Sequence, residues 1–432
     1  MRKNKVVFVT LGCSKNLIDS ELVMRQFVAN GYSVVHNPKR ADGCDIAVIN
    51  TCGFIQSAKE ESIETILAFG KSKQRGQIRQ LFVMGCLSER YRNELQNLIP
   101  EVDKFYGKFN YRQLFADLGK PFHAELAQER LLSTPAHYAY VKIAEGCNRT
   151  CSYCSIPLIT GKYRSRPLEE TVNEVRSLTA RGVKEFQLVA QDLTWYGRDL
   201  YRKATLAELL ARLSDINGVE WLRLHYAYPG QFPMDILPVI RERENICKYL
   251  DIALQHSSDK MLKKMRRGIT KEETLDLLGE IRTSVPGIHL RTTMLVGHPG
   301  ETEEDFADLM RFVREMRFER LGAFIYSVEE KTYSAIHYRD EIEAETKNHR
   351  MDALMSLQES IAMEINEDKI GQTLKVIIDR KEQDFYIGRT EYDSPEVDPE
   401  VLVGGNVKLR AGQFYNVKIT GYRSFDLTGD VL

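Results

Sequence analysis

Strand-like apolar runs alternate with amphipathic stretches along the first part of the chain. Three apolar runs are each followed by a helical pattern. The pairs of run and pattern are 5–12 with 17–30, 44–51 with 56–74, and 80–85 with 88–98. This alternation is typical of a parallel sheet that is covered by helices on both faces. We therefore predict an open parallel α/β domain over residues 1–125.

The same alternation occurs six times in the next part of the chain. The candidate strands are 138–146, 186–192, 221–229, 249–256, 289–297 and 320–327. Two of the helical patterns between them begin at recognisable caps, which are Thr270 with Glu273, and Thr302. Six strand–helix units predict an open, partial (β/α)6 barrel over residues 133–365, and a charged connector helix lies near 342–369. Chemistry in such barrels takes place at the carboxyl ends of the strands.

The last segment, 366–432, changes to short alternating strands with glycine turns. The candidate strands are 374–379, 385–391, 406–410, 414–422 and 426–432. Short strands in this number and spacing predict a small antiparallel β-barrel. The fold class predicted for the whole chain is therefore α/β, with an open sheet, a partial barrel and a terminal β-barrel in that order.

Composition and charge restrict the class of protein. Of 432 residues, 43% are hydrophobic and 28% are charged, and the formal net charge of −1 gives no overall field toward nucleic acid or an anionic membrane. There is no signal-peptide pattern and no apolar run of about 18 residues, so we expect a cytoplasmic protein with no membrane partner. In that reducing compartment, the eight cysteines are expected to bind metal or take part in catalysis.

Cys147, Cys151 and Cys154 form the strongest local signal, in EGCNRTCSYCSIP after the first barrel strand. Three thiolates at this spacing can hold three irons of a 4Fe–4S cluster and leave the fourth iron open for S-adenosylmethionine. The alternatives are a structural zinc site, which usually closes four ligands, and inert buried thiols. No fourth Cys or His lies close downstream, so the pattern favours radical chemistry with these three residues as the catalytic group.

Cys13, Cys52 and Cys86 each come directly after one of the apolar runs of the first domain. Ligands of open parallel sheets bind beyond the carboxyl ends of the strands, so these three thiols can converge there and hold a metal centre. The alternative is three buried, inert cysteines at strand ends. Cys44 and Cys247 fit neither group and are interpreted as small buried hydrophobic residues.

The spacing of Cys147, Cys151 and Cys154 resembles that of the radical S-adenosylmethionine superfamily. The resemblance covers about 135–340 and implies cofactor-binding roles for five more residues. It places Tyr153 against the adenine, Gln191 and Asp192 near the amino group or ribose, Arg291 near the ribose or carboxylate, and Gly297 in the turn after the fifth strand. For Arg291, the alternative is a polar residue whose hydrogen bonds are satisfied inside the barrel mouth.

The contexts of the other three cysteines, LGCSKNLIDSE, INTCGFIQSAKEES and VMGCLSER, resemble the methylthiotransferase family. That resemblance covers almost the whole chain and ends in the barrel called TRAM. It implies a second 4Fe–4S cluster on Cys13, Cys52 and Cys86, which handles sulfur while the first cluster generates the radical. S-adenosylmethionine would supply both the methyl group and the radical, and an electron donor and a sulfur source would be further partners.

The substrate implied by the family is either a modified adenosine in transfer RNA or an aspartate β-carbon in small-subunit ribosomal protein twelve. VAQDLTWYGRD, HYAYP and SIPLITGKYRSRP resemble the ribosomal-protein branch. Residues 366–432 carry nine Lys and Arg against twelve Asp and Glu, a balance of −3 that does not favour nucleic acid. EYDSPEVD (391–398) in the terminal barrel resembles the acidic loop of the ribosomal-protein branch, and this resemblance implies that Asp393, Glu396 and Asp398 contact a basic protein substrate. The alternatives are a solvated acidic loop without a partner, and a zinc-bearing RNA-binding module without catalysis.

Overall fold

The computed structural model describes residues 4–38, 43–404 and 408–432. The chain divides into two compact units. The first contains 1–134, 145–148 and 155–163, and the second contains 135–144, 149–154 and 164–432. The terminal β-barrel therefore belongs to the same unit as the central strands. The domain boundaries predicted at 125, 133 and 365 stay a prediction.

The first unit is built on a parallel sheet. Its elements are β1 (Lys5–Thr10), α1 (Ser14–Ala29), β2 (Ser33–His36), β3 (Cys44–Thr51), α2 (Gln56–Gln74), β4 (Ile78–Gly85), α3 (Cys86–Leu98), β5 (Lys104–Phe105) and α4 (Tyr111–Asp117). The strands pair in the order β2-β1-β3-β4-β5, and each pair is parallel. The predicted open parallel α/β fold is confirmed.

Both faces of this sheet are buried, which explains the continuous apolar runs in the sequence. Successive residues of a strand point to opposite faces. Val7 and Val9 of β1 pack in a core with Ile66 of α2 and Leu95 of α3. Val6 and Phe8 of the same strand pack on the other side with side chains of α1 and α4. No helix in the described part of the chain is both long enough and apolar enough to span a bilayer.

The central strands of the second unit follow one another in chain order. The elements from here to the connector are β6 (Tyr138–Lys142), β7 (Ala144–Glu145), α5 (Ile156–Thr160), β8 (Arg164–Ser165), α6 (Leu168–Ala180), β9 (Glu185–Val189), α7 (Leu206–Ser214), β10 (Trp221–Ala227), α8 (Ile236–Glu242), β11 (Ile246–Gln255), α9 (Asp259–Lys264), α10 (Lys271–Ser284), β12 (His289–Val296), α11 (Glu303–Met316), β13 (Arg320–Ile325), α12 (Tyr333–His337) and α13 (Ala344–Glu367). The parallel sheet runs β6-β9-β10-β11-β12-β13. All six predicted barrel strands are present, and α13 is the predicted connector.

The chain ends in a closed β-barrel, as predicted. Its strands are β14 (Thr373–Glu382), β15 (Phe385–Thr390), β16 (Val401–Gly404), β17 (Phe414–Arg423) and β18 (Asp426–Val431). They close in the order β14-β15-β16-β18-β17. The pair β16–β18 is parallel, whereas the sequence predicted antiparallel pairing throughout. The strand predicted at 406–410 lies partly outside the described residues, and 408–410 are not a strand.

Candidate functional site

The first unit places its three candidate ligands at the carboxyl edge of the sheet. Cys13 directly precedes α1, Cys52 follows β3, and Cys86 begins α3 directly after β4. The strand ends are level, because Thr10 pairs with Asn50 and Thr51 pairs with Gly85. From β1 the chain adds β2 on one side of the sheet, and it then adds β3, β4 and β5 on the other side, so the direction of addition changes between β1 and β3. In doubly wound sheets this reversal is the point where ligands bind.

Two glycines allow the cysteine loops to approach each other closely. Gly12 has φ +87°, and a Cβ at this position would lie only 2.7 Å from the Cβ of Cys52. A Cβ on Gly53 would lie 2.7 Å from the backbone nitrogen of Leu87, next to Cys86. The structure therefore brings together the loops that carry Cys13, Cys52 and Cys86, although each of these residues is 34 to 39 positions from the next in sequence.

Buried polar side chains that the sequence analysis missed connect these loops. The Asn16 amide Nδ2 donates to the carbonyls of Leu11 (3.1 Å) and Thr51 (3.0 Å), and its Oδ1 accepts from the Cys86 thiol at 3.4 Å. Asn50 donates to the carbonyl of Asn16, and the Ser62 hydroxyl bonds both backbone groups of Cys52. Their nearness to the cysteines in sequence was the only signal that could have identified them.

Burial disfavours free thiolates at this site. It raises the pKa of Cys52, and it raises the pKa of Cys86 to about 12, although the nearby Lys108 ammonium opposes the second shift. Lys108 is itself buried, and its Nζ lies 3.0 Å from Glu145 and 3.7 Å from Asp19. Thiols in such surroundings ionise when they gain a cationic metal partner.

Three thiols at the carboxyl edge of the sheet are a donor set of the kind that holds an iron–sulfur cluster. Across residues 4–38, 43–404 and 408–432, no three His, Cys, Asp or Glu side chains are gathered closely enough to hold one ion. A structural zinc ion requires four such ligands at close range. All eight cysteines are reduced thiols.

The second unit holds Cys151 and Cys154 in a tightly bonded turn. The Cys154 amide donates to the carbonyl of Cys151, and Ser152 bonds through its backbone to Met265 (3.0 Å) and Ser334 (2.7 Å). Arg267 donates from Nη1 to Sγ of Cys151 at 3.1 Å. Both thiols are half-buried. The turn therefore has fixed contacts on the side of α9 and α12.

Cys147 belongs to the first unit, where its amide donates to the carbonyl of Gly161 at 3.2 Å. It follows Gly146, which has φ +82° and whose Cβ would overlap the Lys162 carbonyl. Cys147 is half-buried, like the other two cysteines of the motif.

Three of the predicted cofactor-binding residues lie on or beside the carboxyl side of the strands. Tyr153 packs with Met261, Met265, Leu295 and Tyr326. Asp192 follows β9 and accepts from Arg149 Nε at 2.8 Å and from the Thr194 amide at 2.9 Å. Gln191, directly before it, is half-buried. Contact of these side chains with S-adenosylmethionine stays a prediction.

Gly297 is required by the backbone of the turn after β12. It has φ +74°, and a Cβ there would lie 2.5 Å from Cγ of Lys347. Its amide donates to Oε2 of Glu301 at 2.5 Å, and the same carboxylate pairs with Arg350 at 2.7 Å. The glycine lets the turn after the strand close against α13.

Arg291 lies near the start of β12 rather than at its carboxyl end. Its Nη1 is 3.3 Å from Asp251 and its Nε is 3.1 Å from Asp398. The carboxyl end of the strand is five residues further on, roughly 16 Å along an extended chain. These bonds satisfy the guanidinium near the amino end of the strand rather than in the barrel mouth, and contact of Arg291 with the ribose or carboxylate stays a prediction.

The three acidic residues predicted to contact the substrate have partners inside the second unit. Asp393 is 2% exposed and pairs with Arg320 at 2.5 Å. Glu396 is exposed but accepts from the hydroxyls of Tyr138 and Tyr140. Asp398 accepts from Tyr249 at 2.7 Å and from Arg291. These contacts attach the loop to the central strands, which the sequence did not indicate. Substrate contact by these residues stays a prediction.

Family models match three successive parts of the chain. The model described as the radical SAM superfamily matches residues 141–313. The model described as uncharacterized protein family UPF0004 matches 5–107, and the TRAM domain model matches 370–432.

Curated relatives match the chain from end to end. It is 63% identical over 432 residues to the ribosomal protein uS12 methylthiotransferase RimO of Parabacteroides distasonis, with 100% of both chains covered. It is 60% identical over 429 residues to the protein of the same name from Porphyromonas gingivalis, with 99% of both chains covered.

Solved structures of radical enzymes share the fold. TsrM from Kitasatospora setae, a radical S-adenosylmethionine methyltransferase, matches with a TM-score of 0.57 at 15% identity, over 92% of this chain and 80% of that one. The cobalamin-dependent S-adenosylmethionine radical enzyme OxsB matches with a TM-score of 0.54 at 12% identity, over 81% and 56%. At these identities the similarity concerns the fold alone.

Proposed function

This chain belongs to the ribosomal protein uS12 methylthiotransferase family, and we propose that it replaces a hydrogen on an aspartate β-carbon of uS12 by a methylthio group. The observation that carries the proposal is the high identity to relatives of that name over the whole chain. No side chain is basic enough to remove the proton of an unactivated C–H bond. The substitution therefore needs a radical that abstracts hydrogen, as the superfamily provides.

We assign the radical-generating cluster to Cys147, Cys151 and Cys154. Its support is a set of reduced, half-buried thiols within eight residues of sequence, and a cationic N–H donor at Cys151. When bound, the cluster supplies one electron to the sulfonium of S-adenosylmethionine. The task of the chain is to bind the cluster with three thiolates, so that one iron is left for the amino and carboxylate groups of the cofactor.

We assign a second 4Fe–4S cluster, which handles sulfur, to Cys13, Cys52 and Cys86. Family membership implies a cluster and S-adenosylmethionine without giving the number of clusters. The second one is supported by the position of these thiols at the switch point of the sheet, by the close approach of their loops, and by the buried frame around Asn16. Iron would also offset the cost of ionising the buried thiols.

Our candidates for contact with S-adenosylmethionine are Tyr153, Gln191, Asp192 and Gly297. Tyr153 lies in the cluster loop, and the other three follow the carboxyl ends of strands. The partners we propose are uS12, an electron donor and a sulfur source, in the cytoplasm where ribosomes are built. Recognition of uS12 by Asp393, Glu396 and Asp398 has less support, since each carboxylate already accepts hydrogen bonds within the second unit.

The substrate is tested by deleting the gene and comparing two digests by mass spectrometry. Digested uS12 is expected to contain the methylthiolated aspartate peptide only when the gene is present, and transfer-RNA nucleosides are expected to be the same in both strains. Cys13→Ala and Cys147→Ala should not restore the peptide, whereas Cys44→Ala, which changes a cysteine outside both groups, should restore it. Unmodified uS12 in the wild-type strain, with a methylthio nucleoside missing from the deletion strain, would show that transfer RNA is the substrate instead.

A further inference from the structure

Arg267 is a buried cation that the sequence analysis did not single out. It lies between α9 and α10 and is 3% exposed. Its Nη1 is 3.1 Å from Sγ of Cys151 and 3.4 Å from the hydroxyl of Tyr153. Arg267 and Cys151 are 116 positions apart in sequence, so the fold alone brings them together.

Further contacts hold the Arg267 guanidinium in one orientation. Nη2 donates to the carbonyl of Ala253 in β11. The guanidinium carbon lies 4.3 Å from the centre of the Tyr228 ring, and the Tyr228 hydroxyl donates to the backbone carbonyl of Arg267. A planar guanidinium that is bonded at two nitrogens and stacked on a ring is preorganised, so its N–H group stays directed at the sulfur.

The charge of Arg267 lacks an acidic partner in the part of the chain that the structure describes. Its side-chain hydrogen bonds go to Cys151, Tyr153 and the carbonyl of Ala253 rather than to a carboxylate, and its buried Nε has no hydrogen-bond partner. A buried charge is costly unless an opposite charge compensates it. A 4Fe–4S cluster with its thiolates is an anion, and bound at Cys151 it would supply that opposite charge.

We propose that Arg267 is a positioning residue for the cluster of Cys147, Cys151 and Cys154, and that its N–H···S bond and positive charge raise the reduction potential of this cluster. The proposal rests on the proposed function only in placing a cluster at these cysteines. Reduction adds one electron from an external one-electron donor, so the cluster and its thiolates become more negative by one charge. A fixed cation and N–H donor stabilise that more negative form, and cluster potentials respond to such bonds.

The test is a redox titration of the cluster, followed by electron paramagnetic resonance with dithionite as reductant. The parent is the full chain with Cys13→Ala, Cys52→Ala and Cys86→Ala, so that one cluster gives the signal. In this parent we compare Arg267→Gln and Arg267→Lys. Arg266→Gln is the matched control, since Arg266 is exposed and stacks on Tyr333 instead.

We expect the cluster of the Arg267→Gln protein to be harder to reduce. At the midpoint potential of the parent, its ratio of reduced to oxidised cluster should fall about tenfold, which is a midpoint about 59 mV lower for one electron. Arg267→Lys keeps the charge and a donor, so its ratio should fall less. Arg266→Gln should titrate like the parent.

Equal midpoints for the parent and Arg267→Gln would overturn the proposal. Incomplete loading does not prevent the comparison, because the signal comes only from molecules that carry a cluster. Loss of the cluster from both Arg267 variants would also overturn it, because Arg267 would then only support the loop. A failure of this protein to modify uS12 would contradict the proposed function and leave this proposal standing, since the titration contains no substrate.

Discussion

Asn16 is the side chain that connects all three cysteine loops of the first unit. It is 1% exposed and bonds Leu11, Thr51 and Cys86, so its truncation leaves buried carbonyls without a donor. We expect Asn16→Ala to lower the iron content after anaerobic reconstitution towards about four atoms per chain, the content of one cluster. Asn97→Ala, at an exposed position of α3, is the control. Wild-type iron content in Asn16→Ala would contradict this role.

Substitutions of Gly297 and Gly279 together test whether the turn after β12 requires glycine. Gly297→Ala places a Cβ at φ +74° and against Lys347, so we expect a loss of about 2 kcal/mol in the free energy of unfolding. Gly279 lies inside α10 with nothing within 4 Å of its Cβ position, so Gly279→Ala should stabilise by up to about 1 kcal/mol. Urea unfolding measures both changes. Equal stabilities of the two variants would contradict the requirement for glycine at 297.

At the scale of single residues, the sequence was informative where the chemistry is local. The caps Thr270 and Thr302 are confirmed, because a capping box joins residues only three positions apart. The contacts of Asn16 with Thr51 and of Arg267 with Cys151 could not be predicted, since these partners lie 35 and 116 positions away. The cofactor contact of Arg291 was predicted from the strand that carries it, whereas the contacts of its side chain depend on its position along that strand.

Among the elements, the loop between β15 and β16 joins the terminal β-barrel to the amino ends of the central strands. Arg389, the residue before the last of β15, pairs with Glu185, the first residue of β9, at 2.7 Å. Asp393 pairs with Arg320, the first residue of β13. All four side chains are buried. The terminal β-barrel is therefore an integral part of the second unit.

Asp393 makes this attachment sensitive to acid. Burial alone would raise the pKa of Asp393, but Arg320 and Lys369 lower it from the ordinary 3.8 to about 2. Since the folded pKa is the lower one, the ionised carboxylate stabilises the fold above about pH 4, and this contribution of about 2 kcal/mol is lost as the pH falls towards 2. Urea unfolding of the wild type should show that loss.

The variant Asp393→Asn isolates this carboxylate. It should be less stable than the wild type at pH 7 and should lose less stability between pH 4 and 2. Asp384→Asn, in the exposed turn before β15, should behave like the wild type. The assignment fails if Asp393→Asn and the wild type depend on acid to the same extent.

The pattern of hydrophobic residues predicted the strands that are buried in the sheets of the first unit and of the central barrel. The continuous apolar runs of the first unit and the six central strands are confirmed, because burial on both sides leaves little choice of residue. The terminal β-barrel was harder to predict. β16 has only four residues. It pairs with β18 because the barrel closes, and this parallel pairing is not determined by the sequence next to β16.

For the whole molecule, the account requires two clusters in one chain. Anaerobic reconstitution should give about eight iron and eight sulfide per chain, twice the content of one 4Fe–4S cluster. Replacing Cys13, Cys52 and Cys86 by Ala should leave about four of each, and so should replacing Cys147, Cys151 and Cys154. Cys247→Ala, which removes a buried cysteine of neither group, is the control. A wild-type content of about four would contradict the two-cluster assignment.

The division of work between the two groups of cysteines is tested most directly with purified uS12. The chain is incubated without oxygen with uS12, S-adenosylmethionine, dithionite and sulfide, and chromatography with mass spectrometry measures 5′-deoxyadenosine and the methylthiolated peptide. The wild type should form both products, Cys147→Ala neither, and Cys13→Ala only 5′-deoxyadenosine. Formation of as much 5′-deoxyadenosine by Cys147→Ala as by the wild type, or of methylthiolated uS12 by Cys13→Ala, would contradict the account.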